Sequence, residues 1–177
     1  MNGIIAIFRI KKEKIVSSEE ELKILTELGE QQGTLEEDES DMIQSVFEFK
    51  DKTVKEILTP RVDLVAISTK NSIDDVMNII SKHQFSKIPI FNNNIDNIKG
   101  ILYAKDVLPY LIGSRSGVNI SSLSREALFV PEAKPIDDLL REFQSKKTSI
   151  AVVVDEWGGT SGIVTLEDIV EEVLGEF

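Results

Sequence analysis

Thr165 and Asp168 stand three residues apart where a β-branched run, Gly162-Ile163-Val164, gives way to the amphipathic stretch Leu166 to Leu174. A hydroxyl at the end of a strand can donate to a phosphate oxygen, and the first unpaired N–H groups of the following helix favour the same anion. One helical turn further on, a carboxylate can accept hydrogen bonds from both hydroxyls of a ribose. Phosphate and ribose together suit AMP or ATP. The same pair at the same spacing also makes an ordinary cap for the helix running through Glu171, Glu172 and Leu174, so the residues alone leave both readings open.

Other chemistries find little support. The chain has no cysteine, which excludes disulfides, thiolate metal sites and a cysteine nucleophile, and its lone histidine is His83. No nucleophile–base pair and no glycine-rich phosphate cradle is evident, so no enzyme is expected. With 31 acidic against 20 basic residues the net charge is -11, which repels a nucleic-acid backbone. The acidic run Leu35 to Asp41 lacks the alternating oxygen ligands and central glycine of a calcium loop and reads as a solvated helix start. Glu167, Asp168, Glu171 and Glu172 could gather magnesium beside a bound polyphosphate, but an exposed acidic face is the simpler reading and no metal site is expected.

The elements that must position Thr165 and Asp168 come in two copies. Ile73-Asp74-Asp75-Val76-Met77 returns as Ile136-Asp137-Asp138-Leu139-Leu140, each opening an amphipathic helix. Ser86-Lys87-Ile88-Pro89-Ile90-Phe91 aligns with Thr148-Ser149-Ile150-Ala151-Val152-Val153 as a short strand, and Gly100-Ile101-Leu102 with Asp106 returns as Gly162-Ile163-Val164 with Asp168. The helices are offset by 63 residues and the later segments by 62, which places a one-residue deletion between the helix and the strand after it. Turns are expected at Asn92-Asn93-Asn94 and Trp157-Gly158-Gly159. The fold class is α+β: two small domains, each a three-stranded sheet with two helices, packed sheet to sheet with pseudo-twofold symmetry behind an N-terminal helical segment.

Written out this way, the repeat resembles the CBS domain, whose hallmark is a Gly-hydrophobic-x-Ser/Thr-x-x-Asp run at the last strand-to-helix junction. The second copy has it whole, Gly162 to Asp168, whereas the first has Tyr103 in the hydroxyl position before Asp106. Segments including Glu36 to Ile43, Thr59-Pro60-Arg61, Asp155 to Thr160 and Gly162 to Gly175 extend the resemblance to the CorC/CNNM magnesium and cobalt efflux proteins and their haemolysin-like relatives. The resemblance implies a tandem (Bateman) regulatory module that binds adenine nucleotide, ATP or AMP with or without magnesium, and controls a membrane domain. A structural dimerisation module with decayed pockets is the alternative.

In CBS pairs the pocket is shared between copies, so the family pattern implies that Thr165 and Asp168 work with Thr59, Pro60, Phe85, Ser86, Lys87, Ile88 and Pro89. Phe85 and Ile88 would sandwich the purine, and Lys87 would offer charge to phosphate. A second, weaker pocket would use Tyr103, Asp106, Thr148 and Ser149, with the tyrosine crowding the phosphate position.

The expected boundaries are a juxtamembrane stub over 1–16, a helical linker over 17–53, and CBS domains over 54–117 and 118–177. The apolar Ile4 to Phe8 followed by Arg9, Lys11, Lys12 and Lys14 reads as the exit of a membrane helix on its cytoplasmic side, placing the module at the inner face of the cell membrane. Ser17 with Glu20 predicts a helix over Ser17 to Gln32 stopped by Gly33, and Met42, Ile43, Val46 and Phe47 give the next stretch one apolar face. A homodimer is expected through an outward helix face comprising Val76, Ile79, Ile80, Leu139, Leu140 and Phe143.

Overall fold

In the computed structural model, which describes residues 18–113 and 117–175, the first helix starts one residue later than Ser17 and Glu20 predict. Ser18 is the cap of α1 (Glu19–Gln31), its Oγ accepting from the Glu21 N–H at 3.2 Å. The stub over 1–16 and Ser17 itself lie outside the described residues. Gly33, at φ +68°, turns the chain into α2 (Glu37–Phe49). The chain divides between Phe47 and Glu48 into two compact units, of which the second holds both sequence repeats.

That second unit contains two four-stranded sheets, not two three-stranded ones. Its first segment comprises α3 (Val54–Ile57), β1 (Thr59–Pro60) and β2 (Ile67–Ser68). The rest of the first copy is α4 (Ile73–His83), β3 (Lys87–Asn92), β4 (Asn94–Tyr103), α5 (Ala104–Val107) and α6 (Pro109–Ile112). The second copy follows with β5 (Ser124–Arg125), β6 (Leu128–Pro131), α7 (Ile136–Lys146), β7 (Ile150–Val154), β8 (Thr160–Thr165) and α8 (Leu166–Leu174). The sheet orders are β2-β3-β4-β5 and β1-β8-β7-β6.

The fourth strand of each sheet comes from the other copy. β1 runs antiparallel to β8, and β5 antiparallel to β4. The exchange extends into the cores: Val54 packs with Leu128, Leu139, Phe143 and Val153, whereas Ile120 packs with Ile67, Ile73, Val76 and Ile90. Each aliphatic side chain removed from water this way contributes about 1.5–3 kcal/mol, so neither copy completes its core without the other's leading segment. A third cluster, Ile98, Ile101, Ile150 and Val152, joins the two sheets face to face.

Pairing register also moves the deletion. Lys87 faces Tyr103 and Ile150 faces Thr165, so the strands β3 and β7 are offset by 63 residues, like the helices before them. The missing residue therefore lies in the hairpin, and Phe85, Ser86 and Lys87 correspond to Thr148, Ser149 and Ile150. Because side chains alternate along a strand, a slip of one residue exchanges every inward and outward position. The corrected pairing makes Ile88 and Ile90 the counterparts of Ala151 and Val153, all of them buried against their own helices.

The helix face expected to form a dimer is largely core. Val76, Leu139 and Phe143 are buried, and Ile79, Ile80 and Leu140 pack against the same clusters. Amphipathic periodicity identifies an apolar face but does not say what covers it. Both helices end on non-glycine residues in the left-handed region, Gln84 at φ 57° and Lys147 at φ 51°. Lys147→Gly should relieve about 1 kcal/mol of that strain and raise the melting temperature by about 2–4 °C, readable by differential scanning calorimetry.

Candidate functional site

The exchange of edge strands builds a cleft between the copies, with a volume of about 350 Å³, within the range of small-molecule sites. From the leading segment come Thr59, Asp63, Leu64 and Val65, from the turn into β3 Gln84, Phe85, Ser86 and Lys87, and from the second copy Ile150, Ile163, Thr165, Glu167 and Asp168. Of the residues expected at the main site, Thr59, Phe85, Ser86, Lys87, Thr165 and Asp168 meet here.

Pro60, Ile88 and Pro89 do not line it. Pro60 points to solvent, and Ile88 and Pro89 are buried. Strand alternation is the reason for Ile88: Lys87 faces the cleft, so its neighbour faces the core. The apolar walls are instead Leu64, Val65, Ile150 and Ile163 around the half-exposed Phe85 ring, which stacks on His83 with centroids 5.7 Å apart.

Thr165 and Asp168 form a complete capping box. The Thr165 N–H and Oγ1–H donate to Asp168 Oδ2 at 2.6 and 2.8 Å, and the Asp168 N–H donates back to Thr165 Oγ1 at 3.3 Å. The threonine proton expected to reach a phosphate is thus engaged at home. Asp168 Oδ1 accepts nothing from the described residues and is the oxygen available to a ligand hydroxyl. Lys87 Nζ donates to Ser149 Oγ across the pseudo-twofold, which leaves two of its protons for an anion. Glu172, considered for an acidic metal face, is held by Lys52. No cluster of three or more acidic or histidine residues suited to a metal occurs among the described residues.

A latch holds the leading segment over the cleft. Arg61 forks onto Asp96, with Nη2 2.9 Å from Oδ2, and Asp96 also accepts from the Thr160 N–H at 3.0 Å. Thr160 Oγ1 donates to the Ile95 carbonyl at 3.0 Å, so the two hairpins are tied to each other and to the turn Arg61–Asp63. The Arg61 hydrogen bond, followed by that from Thr160, holds the Asp96 carboxyl below its ordinary range. A depressed carboxyl contributes stability above its unfolded-state pKa and loses it as pH falls through the folded one. Thermal melts should therefore fall below about pH 4, and Asp96→Asn should show a shallower fall over that window.

The second set of expected residues is arranged differently. Thr148 Oγ1 donates to the Ile150 carbonyl at 3.4 Å, and Ser149 is the acceptor of Lys87. Arg125, which the sequence reading missed, donates from Nε and Nη2 to the two oxygens of Asp106 at 2.9 and 2.8 Å. Its guanidinium carbon lies 4.3 Å from the centre of the Tyr103 ring. Asp63, Leu64 and Val65 were missed as well. None carries a motif, and only the three-dimensional path of the linker brings them to the cleft.

The arrangement is that of two copies of one small α+β domain sharing their edge strands, and similarity to known proteins agrees. The family model for the CBS domain matches residues 54–113 and 120–175, and the chain belongs to that family as a tandem pair. Within it the chain is of the CNNM/CorC type. It is 39% identical to the solved CBS domain of a bacterial CNNM/CorC family Mg2+ transporter, with a TM-score of 0.84 over 92% of this chain and 99% of that one. A structure of such a domain in complex with ATP is 40% identical, with a TM-score of 0.75 over 78% of this chain and 99% of that one. Among curated relatives, a chloroplastic DUF21 domain-containing protein of Arabidopsis thaliana is 44% identical over 98% of this chain but only 27% of its own length. The magnesium and cobalt efflux protein CorC of Escherichia coli is 35% identical over 89% of this chain and 54% of its own length. The chain thus spans about a quarter to a half of these relatives.

Proposed function

We propose that this CBS pair is a regulatory module that binds an adenine nucleotide in the cleft between its copies and thereby controls a divalent-cation efflux domain in the membrane. The observation that carries the reading is the convergence, in one cavity, of an exposed aromatic ring, an ammonium and a carboxylate with a free oxygen. Purine stacks on Phe85, the ribose hydroxyls donate to Asp168 Oδ1, and phosphate meets Lys87. The ATP complex of a related domain supports the same ligand class.

The lining sets three carboxylates, Asp63, Glu167 and Asp168, against Lys87 alone. A polyphosphate entering there meets net repulsion unless a cation travels with it, so ATP should bind as its magnesium complex and AMP should depend less on the metal. No described helix is long and apolar enough to cross a membrane, and the membrane domain would belong to a longer chain. The module would sit at the cytoplasmic face as a homodimer, with Leu108, Leu111 and Ile112, all more than half exposed, as contact residues.

Thermal shift decides between this reading and a structural dimerisation module with decayed pockets. A ligand bound only by the folded state must raise the melting temperature, by about 2.7 kcal/mol of added stability at a hundredfold excess over Kd. Unchanged melts with ATP, AMP and magnesium at millimolar concentration would leave only the structural role. Light scattering at high micromolar concentration tests the dimer.

A further inference from the structure

The pseudo-twofold relates a second half-site to the first, and strand register fixes the correspondence: Asp106 stands for Asp168, Tyr103 for Thr165, Thr148 for Phe85 and Arg125 for Thr59. At the first half-site a small threonine leaves Thr165 and Asp168 on the cavity wall, whereas the cavity of about 430 Å³ beside Thr148 at the second is lined by neither Tyr103 nor Asp106. At the second an arginine lies over its own sheet edge and consumes the groups a ligand would need. Its fork takes both oxygens of Asp106, and its guanidinium carbon sits over the Tyr103 ring.

We propose that Arg125 is a built-in occupant of the second half-site, so that each chain takes one adenine nucleotide and not two. A forked guanidinium satisfies a carboxylate as two ribose hydroxyls would, without the entropy cost of a free ligand. Linker length adds to the asymmetry. Eight positions separate Thr59 from Ile67, whereas five separate their counterparts Arg125 and Val130. The extra residues form the turn Arg61–Asp63 that frames the first cleft, and the shorter linker has none to frame the second. Asp106 is also held below the ordinary carboxylate range by the Arg125 hydrogen bond, as expected of a fork formed in the ionised state. The inference rests on the nucleotide reading above.

The test copies the first half-site onto the second in steps. Tyr103→Thr with Thr148→Phe, retaining Arg125, should still bind one ATP per chain in isothermal titration with magnesium. Adding Arg125→Thr should create a second binding event, roughly tenfold or more weaker than the first because Ile150 stands where the first site has Lys87. Asp106→Ala in that background should abolish the second event and spare the first. Two events with Arg125 retained, or one event after its removal in a protein of native circular dichroism, overturns the occupant while leaving the nucleotide reading intact. No binding by the wild type overturns both. Should the triple variant misfold, Arg125→Thr alone suffices: carbon-13 NMR should show the Asp106 carboxyl titrating at higher pH than in the wild type, and an unchanged titration rules out the fork in solution.

Discussion

Asp168→Ala should cost the chain about 2–4 kcal/mol of adenine-nucleotide affinity, a drop of roughly thirty- to a thousandfold, while Asp106→Ala should change it little. The difference follows from what each carboxylate already does. Asp168 spends Oδ2 on the Thr165 cap and keeps Oδ1 open toward the cavity. Asp106 spends both oxygens on Arg125. Losing the cap should destabilise α8 by only about 1 kcal/mol, because Val164 and Ile169 still anchor the junction in the core. Titration of both variants, with folding checked by circular dichroism, reads the result. Equal binding by wild type and Asp168→Ala would remove the proposed site, and a larger loss in Asp106→Ala would move it to the other half-site.

The second large effect concerns backbone. A Cβ on Gly162 would lie 2.0 Å from the Thr59 carbonyl oxygen, and one on Gly100 would lie 2.3 Å from that of Arg125. These glycines are required because an exchanged edge strand crosses each of them in close contact, which no side chain permits. Gly162→Ala should push β1 off β8, with a stability loss of about 3 kcal/mol and a melting temperature lower by about 6–12 °C. It should also weaken nucleotide binding, since Thr59 through Val65 move with β1. Gly100→Ala should destabilise comparably yet spare binding, because β5 borders the other half-site. A Gly162→Ala protein that melts within a degree of the wild type would show that the strand exchange does not form in solution.

Much of this was legible from residues alone. The αβ order within each copy, the turns at Asn93 and Gly158 and the junction of Thr165 with Asp168 rest on patterns within about ten residues, and the duplication on the return of those patterns 62–63 residues later. Local periodicity and capping chemistry suffice for such features. Six of the nine residues expected at the main site line one cavity, an expectation that came from family resemblance as well as from the chemistry of the residues.

Other features needed the folded chain. β1 and β5 are two residues long, too short for any period, and their partners lie more than a hundred and about twenty positions away, so nothing local announces the exchange. The one-residue deletion could be put on either side of a strand until hydrogen-bond register assigned it to the hairpin. Val76, Leu139 and Phe143 were recognisable as apolar, but whether such a face meets a partner or its own sheet depends on which surface covers it. Arg125 was an unremarkable surface residue until strand pairing set it beside Asp106 and over Tyr103. Sequence determined the repeats and the chemistry each could offer. Tertiary structure decided which half-site keeps a free carboxylate oxygen, because that depends on contacts between segments whose proximity only the exchanged strands create.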